Sequence, residues 1–351
     1  MPAEWEPHAA TWIAWPHNRT DWPGKFEPIP WVYASIVRHL VAHERVEIIV
    51  NDSHQQRAAV AALKLAHVPL DNLRFHRWHT NRCWTRDYGP MFVRVQRSTA
   101  AAQQASRLAI VDWHFNAWAK YRDWKHDRAI AASASRKLGL ELISAELPTR
   151  GKAARVVLEG GAIDVNGRGT VMLTRECLLS RTQQRNPGLS RRDLEQVLAS
   201  YLGATKVIWL NRGIAGDDTH GHIDDIARFV APNTAVAAVE NNPGDPNYGP
   251  LQENLRQLKN ETDQDGRPLR VIELPMPSPV FFRGQRLPAS YANFYIANGI
   301  VLVPIFNDPN DRTALNTLAE LFPDRSVVGV YCGDLIWGLG AIHCMTQQQP
   351  L

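Results

Sequence analysis

Toward the end of the chain, Gly338-Leu339-Gly340-Ala341-Ile342-His343-Cys344-Met345-Thr346 closes a glycine-flanked apolar run on a thiol. A free thiol titrates near about 8.5, so a cysteine that is to attack carbon at neutral pH needs a base or a cation beside it. His343 is adjacent, but side chains alternate along an extended run, so it is expected to point away from Cys344. Gly216-Asp217-Asp218-Thr219-His220-Gly221-His222-Ile223-Asp224-Asp225 offers a better partner. His222 and Asp224 stand two residues apart, and an extended segment presents them to the same side as a proton carrier and an anion. Trp84-Thr85-Arg86-Asp87-Tyr88-Gly89-Pro90 adds a carboxylate among aromatic groups, and Leu158-Glu159-Gly160-Gly161 adds an acid before two glycines that permit close backbone approach. Two carboxylates facing one pocket, Asp87 and Asp224, match the planar donor fork of a guanidinium, and a ring such as that of Trp84 can stack on the same plane. Glu159 would strengthen the hold on a cation and orient His222.

Each piece also has a plainer reading. Cysteine is often a small buried hydrophobe, four acids within nine residues suit a solvated loop, Asp before Tyr-Gly-Pro suits a turn, and Glu-Gly-Gly suits a bulge. His220, His222, Asp224 and Asp225 also resemble the His-x-His-x-Asp-His loop of binuclear zinc hydrolases. The sixth position is Asp225 rather than histidine, however, and neither a second dense ligand cluster nor a Cys-x-x-Cys pair accompanies it. The expectation is therefore no metal and no organic cofactor.

Residues so far apart in sequence need a scaffold that gathers them. Comparable β-like runs open at residues 8, 87, 159, 222 and 291, at intervals of 79, 72, 63 and 69. Two short strands joined by turn residues, such as Asn166-Gly167 and Asn298-Gly299, are expected in these runs. A helix-period segment and one more apolar strand follow in several of them. Residues 31–42 and 55–66 have a helical pattern around a strand at 46–50. In the last unit Leu315, Leu318, Leu321 and Phe322 share one face of a helix over 313–322, before a buried strand at 326–331. The pattern predicts an α/β fold, one domain over residues 1–351. Five ββαβ-like units would close into a ring and bring Asp87, Glu159, His222 and Cys344 to one axial pocket.

Composition excludes other classes. A globular chain is indicated by 44% hydrophobic and 21% charged residues, and an excess of 39 basic over 35 acidic side chains is too small to suggest nucleic acid or an anionic membrane as partner. The opening Met1-Pro2-Ala3-Glu4-Trp5-Glu6-Pro7-His8 lacks a basic and an apolar signal region, and no long apolar stretch follows, so a cytoplasmic protein is expected. Cys83, Cys177, Cys332 and Cys344 are too few for a disulfide framework and read as free thiols. The oligomeric state is open, a homo-oligomer included.

Trp84-x-Arg86-Asp87-x-Gly89-Pro90, Glu159-Gly160-Gly161, Gly221-His222-Ile223-Asp224 and Ile342-His343-Cys344-Met345-Thr346-Gln347-Gln348 occur in this order in the agmatine deiminase and bacterial-type peptidylarginine deiminase family. The chain is similar to that family along nearly its whole length, from Met1-Pro2-Ala3-Glu4-Trp5 and Trp15-Pro16-His17-Asn18 onward. The resemblance implies the pentein fold, a five-bladed α/β propeller with pseudo-five-fold symmetry. It implies Cys344 as the nucleophile that forms an amidino-cysteine intermediate, His222 as general acid and base, Asp87 and Asp224 as the guanidinium clamp, and Glu159 in support. The substrate implied is a small guanidino compound, agmatine, converted to N-carbamoylputrescine and ammonia in putrescine synthesis. Protein arginine, deiminated to citrulline, is the alternative, with amidino transfer and a non-catalytic guanidinium-binding pentein as more distant ones. The family's usual Gly-Gly-Gly-Asn before Ile-His-Cys is Gly338-Leu339-Gly340-Ala341 here, and the usual Thr of Arg-Asp-Thr-Gly-Pro is Tyr88. Surplus acids such as Asp217 and Asp218 suit a dicationic substrate, Asp218 being a candidate substrate-binding residue while the ligand of the distal amine stays open, and Gln347-Gln348-Gln349-Pro350 also favours agmatine.

Overall fold

The computed structural model describes residues 1–95, 106–147 and 154–351. The chain begins with strand β1 (His8–Ala14), helix α1 (Ile29–Leu40), β2 (Arg45–Val50), α2 (Ser53–Leu65) and β3 (Leu73–Arg77). A short helix α3 (Thr85–Tyr88) leads into β4 (Met91–Val95), β5 (Arg107–Asp112), α4 (Ile130–Leu138) and β6 (Glu141–Ser144). Next come β7 (Asp164–Val165), β8 (Thr170–Thr174), α5 (Arg175–Leu179), α6 (Arg191–Leu202) and β9 (Lys206–Leu210). They are followed by β10 (Ala227–Ala231), β11 (Thr234–Val239), α7 (Tyr248–Leu258) and β12 (Arg270–Pro275). The last elements are β13 (Tyr295–Ala297), β14 (Ile300–Ile305), α8 (Asp311–Leu321), β15 (Ser326–Tyr331) and β16 (Gln347–Pro350).

This mixed α/β fold repeats one local topology. In the sheets β4-β5-β6, β7-β8-β9, β10-β11-β12 and β13-β14-β15, the first two strands pair antiparallel and the third joins the second in parallel. A parallel neighbour demands a crossover, and in each sheet a helix supplies it. The expected helices at 31–42, 55–66 and 313–322 appear as α1, α2 and α8, displaced by one to two residues, and the strand at 326–331 is β15, of which only Val330 is buried, contrary to expectation. On α8, Leu318 is buried, with Leu315 and Leu321 packed partly against the same cluster, as its period predicts.

The first unit differs from expectation. Residues 8–15 form one strand rather than a hairpin, and its antiparallel partner is β16, with Thr11 opposite Gln348 and Trp12 opposite Gln347. Gln347, Gln348 and Gln349 are buried there, where amides need partners. Trp12 Nε1 donates to Gln349 Oε1 at 3.0 Å and Arg86 Nη1 to Gln348 Oε1 at 2.7 Å. The glutamine run therefore closes the first sheet and does not line the cavity described below, so it carries no preference for a substrate.

Glu4 ties several units together beneath the site. Its carboxylate lies 3.1 Å from Arg86 Nη2, 2.9 Å from Arg228 Nη2 and 2.8 Å from His343 Nε2, and it accepts the Ile296 N–H at 2.9 Å. Burial opposes its charge, but Arg228, His343 and Arg86 hold the carboxyl well below its usual range. Among the described residues, no helix is long and apolar enough to cross a membrane.

Candidate active site

A cavity of about 430 Å³ is lined by Cys344, Asp87, Trp84, Trp118 and the Gly338-Leu339-Gly340 turn, with an acidic wall that includes Asp218. Of the predicted site residues, Cys344, Asp87, Trp84 and Asp218 line this cavity; His222, Glu159 and Asp224 are buried and do not line it. Cys344 Sγ lies 3.7 Å from Asp224 Oδ2, and His222 holds its Nδ1 3.7 Å from Asp87 Oδ1 and its Nε2 3.9 Å from Glu159 Oε2. His222 and Asp224 do not share an extended strand as expected. Residues Ile223–Asp225 form a 3-10 turn directly after His222, and the two side chains meet the same site around that turn.

Close approach accounts for two of the glycines. A Cβ on Gly161 would stand 2.6 Å from His222 Nδ1, 2.8 Å from Asp87 Oδ1 and 3.1 Å from Asp224 Oδ2, so the side-chain-free backbone lets these groups converge. Its N–H also donates to Asp87 Oδ1 at 3.0 Å. At Gly340 a Cβ would come within 2.7 Å of the Trp84 ring and 3.1 Å of Cys344 Cβ.

The site is electrostatically one-sided. Burial pushes Asp87 up to about 6, with Asp224 and Glu159 adding to the push and His222 opposing it. Glu159 goes the other way: burial raises it, but Arg185, with Nε 3.0 Å from Oε1, together with His222 brings it down to about 2. Burial also opposes a charge on His222, yet Asp87, Cys177 and Glu159 prevail and raise it well above an ordinary histidine. Burial, then Asp224, Asp225 and Asp87, push the Cys344 thiol far above its usual value, which favours its protonated form. Asp224 Oδ1, Glu159 Oε2 and His222 Nε2 are buried without a hydrogen-bond partner.

The zinc-like reading of the loop does not survive this geometry. His220 adopts a positive φ of 64° and places Nε2 3.2 Å from Ser180 Oγ, while Asp225 accepts from Asn293 Nδ2 at 3.0 Å. The grouping among the described residues that could hold an ion is Glu159, Cys177 and His222, whose ligand-type atoms lie within 4.8 Å of one another. Arg185 already sits on Glu159, and its charge would oppose a metal ion there.

The profile of the Porphyromonas-type peptidyl-arginine deiminase family matches residues 1–350. The chain belongs to this family. Agmatine deiminase of Ectopseudomonas mendocina is 34% identical over 373 aligned positions, covering 100% of this chain and 95% of that protein. Among solved structures, agmatine deiminase of Enterococcus faecalis superposes with a TM-score of 0.86 at 31% identity, over 100% of this chain and 95% of that one. C. jejuni agmatine deiminase with substrate bound gives 0.84 at 29% identity, over 99% and 95%.

Against the family's usual motifs, the two departures differ in weight. Tyr88 donates its hydroxyl to the Arg82 carbonyl at 2.7 Å and does not line the cavity. Leu339 does line it, in a left-handed conformation with φ 68° that normally favours glycine. Of the acids flagged in the histidine loop, Asp217 is engaged by backbone: it accepts from Thr219, Gly221 and His222 N–H groups at 2.8, 2.6 and 3.1 Å.

Asn293 and Trp118 lie outside the sequence motifs, and His343 lies inside one without having been given a role there. Asn293 donates to Cys344 Sγ at 3.1 Å and accepts the His343 N–H at 3.0 Å. His343 does turn away from the cavity, although residues 342–345 form a turn and not the extended run that expectation assumed, and its Nδ1 lies 2.8 Å from Asp224 Oδ2, bridging that carboxylate to Glu4. Trp118 donates Nε1–H to Asp87 Oδ2 at 2.9 Å from a turn in which Ala117, Trp118 and Ala119 have φ of 50°, 58° and 53°. Left-handed L-residues cost roughly 1–2 kcal/mol each, so that indole is aimed at the expense of local backbone strain.

Proposed function

We propose that the protein is a hydrolase of guanidinium C–N bonds that converts agmatine to N-carbamoylputrescine and ammonia. The observation that carries this reading is a thiol set among buried carboxylates, with one oxygen of Asp224 and one of Glu159 lacking a donor. Such an arrangement calls for a planar cation with several N–H groups. Asp87 and Asp224 would grip the guanidinium, Glu159 would assist from its place beside His222, and the Trp84 face would cover the plane. The carboxylates that suppress ionisation of Cys344 would then be offset by substrate charge, so the thiolate forms only against bound substrate.

On substrate binding Cys344 gives its thiol proton to solvent, and the thiolate attacks to form a C–S bond at the guanidinium carbon. Imidazolium His222 gives its proton to the departing nitrogen, the C–N bond breaks and ammonia leaves, with an amidino group on Cys344. Neutral His222 next takes a proton from water, whose oxygen adds to the amidino carbon. The C–S bond breaks, and the ureido product and free thiol result. Asn293, as donor to Sγ, supports the anion in both halves.

A dicationic substrate is favoured over a peptide by the acidic wall containing Asp218, since peptidyl arginine brings no second cation. The repeated sheet topology, with β16 joining β1, supports one domain over residues 1–351 whose five units close as a five-bladed propeller around the site. A cytoplasmic place in putrescine formation accords with this reading.

The test is ammonia release with agmatine, free arginine and a blocked arginyl peptide side by side, with Cys344→Ala as control. Turnover of agmatine, lost in Cys344→Ala while agmatine still binds, is expected. Preferred turnover of the peptide would move the substrate to protein arginine, and an active Cys344→Ala would refute the nucleophile.

A further inference from the structure

The acids of the cavity wall are not equivalent. Asp218 has both oxygens engaged, one by Lys120 and the other by the Tyr121 hydroxyl at 2.7 Å. Asp123 holds Arg82 Nη2 with both oxygens, at 3.2 and 3.4 Å, and its side chain is 46% exposed. Asp21 also pairs with Arg82, but through Oδ1 alone. Its side chain is 2% exposed, it lines the cavity, and Oδ2 is buried without a partner. Buried carboxylate oxygens are seldom left so, and one on a cavity wall is matched to a donor that a ligand brings.

The loop carrying Asp21 is anchored. The next residue, Trp22, is fully buried, donates Nε1–H to the Leu335 carbonyl at 2.8 Å and packs on the Trp84 ring at 5.4 Å between centroids. Asp21 is thereby held on the same wall as the ring assigned to the guanidinium, with little freedom to relax toward Arg82. Resting on the agmatine reading above, we infer that Asp21 is the specificity-determining residue for the distal primary ammonium of the substrate, its Oδ2 accepting the N–H bonds that Arg82 does not supply. Burial pushes this carboxyl up to about 7 in spite of Arg82, so an arriving ammonium favours its ionised form. Asp218, named from sequence as substrate-binding, would shape the wall, with Lys120 offsetting its charge.

The experiment compares agmatine with n-butylguanidine, which keeps the guanidinium and the four-carbon chain but lacks the amine, on the wild type and on Asp21→Asn. Wild type is expected to show a KM for agmatine about tenfold or more below that for n-butylguanidine, the scale of one charge-assisted hydrogen bond. Asp21→Asn should raise the agmatine KM by about tenfold with kcat within about twofold, and leave n-butylguanidine kinetics unchanged, which also reports an intact fold. Equal KM values for the two compounds on wild type, needing no variant, would overturn the assignment. So would an Asp21→Asn effect of the same size on both, since that marks a structural role. A wild type releasing ammonia from neither compound would instead refute the agmatine reading on which the assignment rests.

Discussion

Replacing Asp87 by Asn separates what the site requires for chemistry from what it costs in folding. Asp87 Oδ1 accepts the Gly161 N–H at 3.0 Å, Oδ2 accepts Trp118 Nε1–H at 2.9 Å, and His222 Nδ1 is 3.7 Å away. Burial, reinforced by Asp224 and Glu159, moves the carboxyl to about 6. An acid with a folded pKa above its unfolded value of about 3.9 is favoured by folding in its neutral form. Its ionised form therefore destabilises the native state by about 3 kcal/mol at pH 7, a penalty absent at low pH that builds as pH rises from about 4 to about 6. Asn removes that penalty. Its amide, however, offers one oxygen to two N–H donors, so either Gly161 or Trp118 loses its acceptor at a cost of about 1–3 kcal/mol.

The two effects nearly offset, and Asp87→Asn should unfold in urea at pH 7 within about 2 kcal/mol of wild type, its stability falling less than wild type's between about pH 4 and pH 6. Activity should respond quite differently. Loss of one charge-assisted contact to the guanidinium is worth about 1.5–3 kcal/mol, or about 10- to 150-fold in kcat/KM, before counting the weaker protonation of His222. Urea unfolding at pH 5 and pH 8 together with ammonia release tests both halves. Wild-type kcat/KM, or a destabilisation at pH 7 well above about 3 kcal/mol, would show that Asp87 acts as a structural anion and not as a substrate clamp.

Trp118→Phe keeps the ring but takes the N–H from Asp87; kcat/KM should fall about tenfold, as for one hydrogen bond to a charged group. Because that bond favours the ionised carboxyl, the acid limb of the kcat/KM profile should also move to higher pH, and an unmoved limb would detach Trp118 from Asp87. Arg185→Met leaves Glu159 charged and unpaired in a site where both side chains are fully buried, and should cost about 3–5 kcal/mol in urea unfolding at pH 7. In wild type the depressed Glu159 gives stability that is present above about pH 4.3 and lost as pH falls through about 2. The variant lacks it, so its deficit should shrink on acidification, and a deficit independent of pH would point to lost packing instead.

How far the site was legible in the sequence follows from where each interaction is encoded. Cys344, His222, Asp87, Glu159 and Asp224 sit in short motifs of chemically distinctive residues, and the apolar periods of α8 and β15 are local, so both could be found from spacing alone. The pairing of β16 with β1 joins the two ends of the chain, and no local pattern distinguishes its buried glutamines from an exposed polar tail. The turn at Ala117-Trp118-Ala119 carries no glycine to announce positive φ, because tertiary contacts impose what local preference opposes. Asp21 is invisible for a related reason. Its significance lies in an oxygen that lacks a partner, and a partner count exists only after Arg82, Asp123 and Trp84 have been brought from another part of the chain to surround it.

The same distinction orders the chemistry. Burial and the motif carboxylates push the Cys344 thiol up, whereas the groups that support the arrangement had no role assigned from sequence: Asn293 on Sγ, His343 on Asp224 and Trp118 on Asp87. If only the residues given roles from sequence mattered, replacing any of the three supporting groups would leave the pH dependence of kcat/KM where it was. Under the proposed reaction each donates to, or lies against, an atom whose charge changes or is neutralised on binding. Loss of such a donor must shift an ionisation as well as lower a rate, which marks support of the reacting groups and not mere support of the fold.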